Sequence, residues 1–163
     1  MTSDIPHPAD LLRTMPFAER LGIDLTEATP ERTTGTLPWS SDLCTAGAAL
    51  HGGALIALAD TVGAVCAYLN LPQGADTSTL ESKTNFFRPV RAGTAQAVSR
   101  PLHVGRSVIV VQTDVFEMGE RVLVGQTTQT QAVITTRRTA PHTQQAPEDA
   151  PVSGEGREEP QVR

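Results

Sequence analysis

Asp60 is the residue best placed for chemistry in this chain of 163 residues. It is the only acidic or basic residue between His51 and Leu69. An unpaired buried carboxylate costs several kcal/mol and is usually kept for a reason, so a catalytic role is one hypothesis. The alternative is that Asp60 pairs locally or faces water at the edge of its segment. Its neighbours at helical spacing are mostly small and leave room for a close approach: Gly53, Ile56, Ala57, Gly63, Ala64 and Ala67.

The tripeptide His51-Gly52-Gly53 opens the same stretch and offers a second chemical group. The first N–H groups of a helix are unpaired and carry partial positive charge, which suits a developing oxyanion. Without side chains, Gly52 and Gly53 let a carbonyl oxygen reach these amides, although the glycines alone also fit a tight entry into a helix. A histidine beside a helix N-terminus is most often structural, and His51 is expected to bond the loop backbone. It is not expected to act as a base, because the helix dipole disfavours its protonated form.

The spacing between these groups predicts a dimer. Gly52 and Asp60 are eight residues apart, which is ~12 Å along a helix axis. A base or nucleophile must lie within about 3 Å of the atom on which it acts. One helix therefore cannot place both groups on one carbonyl, whereas two antiparallel copies about a twofold axis could bring Asp60 of one subunit to Gly52 of the other.

The element that carries these groups is predicted to be a buried helix over residues 50 to 69. Apolar residues recur there every three or four positions, and the opposite side is small rather than charged. A short helix over residues 10 to 15, ended by Pro16, is also predicted. Strand patterns cover residues 21 to 28, 32 to 39, 77 to 87, 93 to 104, 107 to 117 and 121 to 136. These patterns indicate an α+β domain with one buried helix.

Several motifs together resemble one protein family. His51-Gly52-Gly53 followed by Leu58-Ala59-Asp60-Thr61 resembles the hot-dog-fold acyl-CoA thioesterases, in particular the phenylacetate-degradation (PaaI-like) branch. Two N-terminal motifs and one motif after the helix are similar to the same branch: Met15-Pro16-Phe17, Leu21-Gly22-Ile23 and Asn85-Phe86-Phe87-Arg88-Pro89. The resemblance implies a hot-dog fold, in which a strongly curved antiparallel sheet wraps around one long central helix.

The resemblance also implies a reaction, the hydrolysis of an aromatic or medium-chain acyl-CoA to the free acid and CoA. Asp60 would act as nucleophile or general base, and the Gly52 amide, with Gly53 beside it, would hold the oxyanion across a dimer interface. His51, as the matching residue of the family, would steady the turn that carries this amide. Family members form homodimers, alone or paired into homotetramers. No cofactor is implied, since coenzyme A enters as part of the substrate.

Two threonines match positions that serve the substrate in the family. Thr45 stands six residues before His51, where the family commonly has Asn or Gln. Its hydroxyl is shorter, so Thr45 either helps to position the substrate or only hydrogen-bonds the loop. Thr79 matches a Ser or Thr near the carboxylate of the partner helix, and an ordinary strand threonine is the alternative.

Basic residues are concentrated between Ser82 and Thr113, where there is no Asp or Glu. Coenzyme A carries a diphosphate and a 3′-phosphate, which Arg side chains at strand ends are suited to bind. Arg88 is the first candidate and Arg106 the second. The alternative is that these residues are solvated charges at the rim of the sheet.

Composition limits the remaining possibilities. A hydrophobic content of 39% allows one domain with a core, and a net charge of −5 argues against nucleic-acid binding. Neither a signal peptide nor a membrane span is predicted, and a cytoplasmic protein with free thiols is expected. The four His and two Cys residues are scattered, so no metal site is predicted.

The domain is expected over residues 15 to 136, between a flexible N-terminal arm over 1 to 14 and a polar tail over 137 to 163. The tail has almost no large apolar residues and is therefore expected to be disordered. Two other functions stay open. A non-catalytic acyl-CoA-binding or sensing protein could share the fold. A hot-dog hydratase or dehydratase would need a nearby Asp/His pair, but no His follows Asp60 until His103.

Overall fold

The computed structural model describes residues 7–135. The predicted tail over 137 to 163 lies outside the described residues. In chain order the elements are α1 (Pro8–Leu12), α2 (Pro16–Leu21), β1 (Asp24–Ala28), β2 (Thr33–Pro38), a 3-10 turn (Ser41–Leu43), α3 (Gly52–Tyr68), β3 (Ala75–Phe86), β4 (Thr94–Val104), β5 (Val108–Glu117) and β6 (Val122–Thr135).

The strands form one antiparallel sheet in the order β1-β2-β4-β5-β6-β3, with β3 at an edge. Helix α3 contacts all six strands, so the sheet curls around it. Leu58, Ala59 and Val62 of α3 are fully buried against this face. The predicted hot-dog fold, with its antiparallel sheet around one central helix, is confirmed.

Helix α3 begins two residues later than predicted and ends close to the predicted end. The Asn70 side chain helps to end it, because its amide donates to the Cys66 carbonyl at 2.8 Å and to the Pro30 carbonyl at 2.7 Å. The expectation that the helix is buried all round is only half met in the single chain. The sheet covers one side and leaves a stripe on the other side partly or fully exposed: Gly53, Ile56, Ala57, Asp60, Ala64 and Tyr68.

The N-terminal segment differs from the sequence prediction. Residues 8–12 are not a flexible arm, because Leu11 and Leu12 of α1 are buried in the core. Pro16 does not end a helix but begins α2, where its missing N–H leaves no intrahelical bond unmade. Strand β1 starts at Asp24 rather than at residue 21, since α2 runs to Leu21 and ends on Gly22 in the left-handed conformation.

Candidate active site

His51 is the N-terminal cap of α3. Its backbone is extended, and its Nδ1 accepts a hydrogen bond from the Gly53 N–H at 2.9 Å. The His51 N–H donates to the Leu43 carbonyl at 2.8 Å, which attaches the helix start to the preceding loop. Because Nδ1 is the acceptor, the neutral ring carries its proton on Nε2. This geometry fits His51 as the residue that steadies the turn rather than as a base.

The Gly52 amide is the one that can receive an oxyanion. The Gly53 N–H is already engaged by His51, whereas the Gly52 N–H has no hydrogen-bond partner among residues 7–135. The ring of Phe86 covers the other side of Gly52, since a Cβ at residue 52 would lie 3.2 Å from Cζ of that ring. The start of α3 therefore presents a backbone donor in a position where a side chain would be crowded.

Asp60 is half-buried on the exposed stripe of α3, and burial raises the pKa of its carboxyl. Its Oδ1 accepts a hydrogen bond of 2.5 Å from Nε2 of Gln129. No basic side chain forms an ion pair with Asp60 within the described part of the chain. Among the described residues, Asp60 therefore has a single hydrogen-bond donor, Gln129, which carries no opposite charge.

Thr79 belongs to the same hydrogen-bond network. Its Oγ1 accepts from Nε2 of Gln129 at 3.3 Å and from Nε2 of Gln131 at 2.9 Å. Gln131 in turn accepts from the Thr77 hydroxyl at 3.2 Å. Since Thr79 accepts both bonds, its own hydroxyl proton is available to a further acceptor. Gln129 thus connects Thr79 to Asp60 of the same chain, whereas the sequence prediction placed Thr79 near the carboxylate of a partner helix.

Sequence reasoning missed the two glutamines of this network. Gln129 and Gln131 are 0% and 1% exposed, and they alternate along β6 so that both face α3. Their surroundings, Thr127-Thr128-Gln129-Thr130-Gln131, contain no apolar alternation that would mark the buried face. Only the pairing of β6 with β3 and β5 reveals which of these polar residues point inward.

Gly63 provides the space that Gln129 occupies. A Cβ at residue 63 would collide with Oε1 of Gln129. That oxygen is buried and accepts no hydrogen bond from any described residue. A glycine inside a helix costs ~1 kcal/mol relative to alanine, and an unsatisfied buried polar atom costs roughly 1–3 kcal/mol. Packing alone would favour an apolar side chain at position 129.

Thr45 forms only local contacts. Its Oγ1 accepts from the Gly47 N–H at 3.3 Å, and its N–H donates to the Ala49 carbonyl at 2.8 Å. The threonine is exposed, and no hydrogen bond connects it to Asp60 within residues 7–135. These contacts fit the loop role, and the substrate role of Thr45 stays a prediction.

Arg88 and Arg106 lie at opposite ends of the sheet. Arg88 follows the β3 residue Phe86, which pairs with Gly125, and Arg106 precedes Val108, which pairs with Ala132. The two β6 residues in these pairs are seven positions apart, which corresponds to ~23 Å along the strand at ~3.3 Å per residue. One subunit therefore does not bring the two arginines to one phosphate group.

A small apolar cavity of about 280 Å³ adjoins the start of α3. His51 and Gly53 form one side, and Phe17, which is 67% exposed, lies at its edge. The other residues that line it are Leu21, Asp42, Leu43, Cys44 and Ala54. A larger groove of about 920 Å³ contains Gln96, Val98 and Phe116 but none of Gly52, Asp60 and Gln129.

Within residues 7–135, no three His, Cys, Asp or Glu side chains converge into a set that could hold a metal ion. Cys66 is a free thiol whose burial raises its pKa to about 11. No described helix combines the length and apolar character needed to cross a membrane.

The chain is similar to known proteins of one superfamily. The sequence model of the thioesterase superfamily matches residues 47–124. ComA2 of Bacillus subtilis (strain 168) is 32% identical over 106 residues, 64% of this chain and 84% of that protein. The 1,4-dihydroxy-2-naphthoyl-CoA hydrolase of Escherichia coli (strain K12) is 33% identical over 99 residues, 61% of this chain and 68% of that enzyme. The crystal structure of thioesterase HI1161 from Haemophilus influenzae has a TM-score of 0.72 at 29% identity, covering 78% of this chain and 88% of that one.

Proposed function

The chain belongs to the thioesterase superfamily and is a thioester hydrolase, and from this premise we propose that it hydrolyses acyl-CoA thioesters to a free acid and CoA. A similar enzyme is named as a hydrolase of an aromatic acyl-CoA. The single observation that carries the proposal is the arrangement of α3, which presents an unpaired backbone N–H at Gly52 and a carboxylate at Asp60. Coenzyme A enters as part of the substrate, and no separate cofactor is required.

The active site is shared between two subunits. Gly52 and Asp60 lie on one regular helix, ~12 Å apart along its axis, so a second α3 must supply the missing partner. Three of the six residues in the exposed stripe of α3 are Gly or Ala, namely Gly53, Ala57 and Ala64, and their small size lets two helices approach closely there. If Asp60 faces Gly52 of the partner subunit in an antiparallel pair, Ile56 lies midway between them and therefore on the twofold axis. Ile56 is 38% exposed in the single chain.

The Asp60 carboxylate performs the chemistry in its ionised form. As a nucleophile, it attacks the thioester carbonyl carbon, the C–S bond breaks, CoA leaves as a thiolate that takes a proton from water, and water then hydrolyses the mixed anhydride. As a general base, it accepts the proton of a water that attacks the same carbon, and that proton passes to the departing sulfur. In both routes the Gly52 N–H stabilises the negative charge on the carbonyl oxygen.

The acyl group and the nucleotide occupy different surfaces. The apolar cavity beside His51 and Gly53 has the size for an aryl ring or a medium-length acyl chain. Arg88 is the first candidate for the phosphates, because it follows by two residues the phenylalanine that contacts Gly52. A twofold axis through Ile56 brings opposite ends of the two sheets together. Arg88 would then serve the site that contains Gly52 of its own subunit, and Arg106 would serve the other site of the dimer. Pairing of dimers into tetramers is compatible with this arrangement.

The experiment that tests this proposal measures thiol release from a panel of aryl- and alkyl-CoA thioesters. The wild-type protein should release free CoA, and Asp60→Asn, which keeps the volume and removes the charge, should lose at least ~10²-fold in kcat. Asp114→Asn is the matched control, since Asp114 accepts hydrogen bonds from Gln112 and Gln126 and not from Gln129. Binding of acyl-CoA without thiol release would instead indicate a sensor. Equal turnover by Asp60→Asn and the wild type would exclude Asp60 as the catalytic group.

A further inference from the structure

Gln129 contacts the proposed catalytic carboxylate and is not accounted for by packing. It is a fully buried amide on β6 whose Nε2 lies 2.5 Å from Oδ1 of Asp60 and 3.3 Å from Oγ1 of Thr79. An ionised carboxylate only accepts hydrogen bonds, so the end of the amide that meets Asp60 must be the nitrogen. This fixes Oε1 at the opposite end, where it faces Gly63 and accepts no bond from the described residues.

The two oxygens of Asp60 are therefore not equivalent. Oδ1 is held by Gln129, whereas Oδ2 has no hydrogen-bond partner within residues 7–135. A carboxylate that is free to rotate presents either oxygen, but one anchored by a hydrogen bond to a buried strand presents a single oxygen in a fixed direction. The strand itself is rigid here, because β6 is paired on both sides, with β5 and β3.

We infer that Gln129 is a positioning residue, which holds Oδ1 of Asp60 so that Oδ2 is the oxygen that meets the substrate carbonyl or the attacking water. The inference rests on the proposed function of Asp60. Gln129 lies on β6, beyond the segment that the family model matches. The inference therefore gives β6 a role in the reaction, in addition to the role of the α3 motif. Gln129 does not touch the substrate and acts through Asp60.

The charge surroundings of Asp60 make the contribution of Gln129 measurable. Burial raises the pKa of Asp60, and a donor to the ionised form opposes that change. The charged residues nearest along the packed strands are Glu81, Lys83 and Asp114, which pair with Thr130, Thr128 and Gln126. These three partners alternate with Gln129 and Thr127 and so belong to the outer face of the sheet. Among residues 7–135, Gln129 is the one hydrogen-bond donor to Asp60, and such a donor favours the ionised form.

Gln131 provides a matched control on the same strand and the same face. It is equally buried, but its amide donates to Thr79 rather than to Asp60. Methionine has a similar length and volume to glutamine without its donor, so Gln129→Met and Gln131→Met each remove one buried amide. A merely structural contribution of buried amides would affect both variants in the same way.

The test begins with NMR titration of the full-length wild-type protein, which needs neither a variant nor activity. The side-chain amide signals of Gln129 should titrate with the same midpoint as the ¹³C signal of the Asp60 carboxyl, and those of Gln131 should not. In Gln129→Met the midpoint of Asp60 should rise by about one pH unit, a ~10-fold weaker acid. In Gln131→Met it should stay unchanged. Independent titration of Gln129 and Asp60, or equal midpoints in the two variants, would overturn the inference.

Kinetics then connect the contact to the reaction. Gln129→Met should lose about 10- to 100-fold in kcat with little change in KM. The acid limb of its pH–rate profile should shift to higher pH, together with the titration midpoint of Asp60. Gln131→Met should retain kcat within about threefold. Gln129→Glu keeps the shape and should raise the midpoint further, because two adjacent carboxyl groups share a proton. If the wild type releases no CoA, the proposed function fails, but the titration still decides whether Gln129 holds Asp60.

Discussion

The ring of Phe86 packs against the α carbon of Gly52, so that a Cβ at residue 52 would come within 3.2 Å of the ring. The contact joins the end of β3 to the amide proposed to hold the oxyanion. Phe86 is 48% exposed, so its ring is not packed on every side. Glycine at position 52 therefore serves two purposes, access to the N–H and room for the ring.

Gly52→Ala should reduce turnover without unfolding the protein. The N–H remains, but the methyl group crowds Phe86 and the approaching carbonyl, so we expect kcat to fall about 10- to 100-fold. Adding Phe86→Ala removes the crowding on the ring side and should recover part of the loss. Steady-state kinetics of the two single variants and the double variant measure this coupling. Wild-type turnover by Gly52→Ala would contradict the assignment of this amide.

His51 should be replaceable by another capping residue but not by alanine. Its Nδ1 accepts the Gly53 N–H at 2.9 Å, and loss of an N-cap typically costs ~1 kcal/mol. His51→Ala should lower the free energy of unfolding in urea by about that amount and lower kcat about fivefold if the same loss appears in the transition state. His51→Asn retains a capping acceptor and should lie close to the wild type in both measurements. A large loss of kcat in His51→Asn at unchanged stability would instead indicate a chemical role for the ring.

A cysteine at position 56 should crosslink the dimer at its twofold axis. In an antiparallel pair that places Asp60 on Gly52 of the partner subunit, Ile56 faces its own copy. In a Cys44→Ser background, Ile56→Cys should form a covalent dimer with a short bifunctional thiol reagent. Tyr68→Cys is the control, since Tyr68 is also exposed on α3 but lies twelve residues from the axis, so its two copies would be ~36 Å apart. Crosslinking of the control but not of Ile56→Cys, measured by denaturing electrophoresis, would rule out this helix register.

The sequence supports the prediction of α3 and of Asp60 on it because the helical pattern and the lone charge are local features. Other features depend on tertiary structure. A proline such as Pro16 can stop a helix or start one, and which occurs depends on how the preceding segment packs. The exposed stripe around Ile56 follows from the sheet covering only one side of α3. Gln129 could not be identified because a polar strand acquires an inner face only when its neighbours are in register.

The pH dependence of stability should reveal the cost of keeping Asp60 ionised. Burial raises its folded pKa above the unfolded value near ~3.9, so the folded state binds the proton more tightly. The contribution of Asp60 to stability is therefore most favourable at low pH and is lost as pH rises through the folded pKa. Asp60→Asn should be more stable than the wild type at neutral pH, with the difference shrinking as pH falls toward 4, whereas Asp114→Asn should gain no stability. Urea unfolding at several pH values measures this, and a variant that is less stable at neutral pH would contradict it.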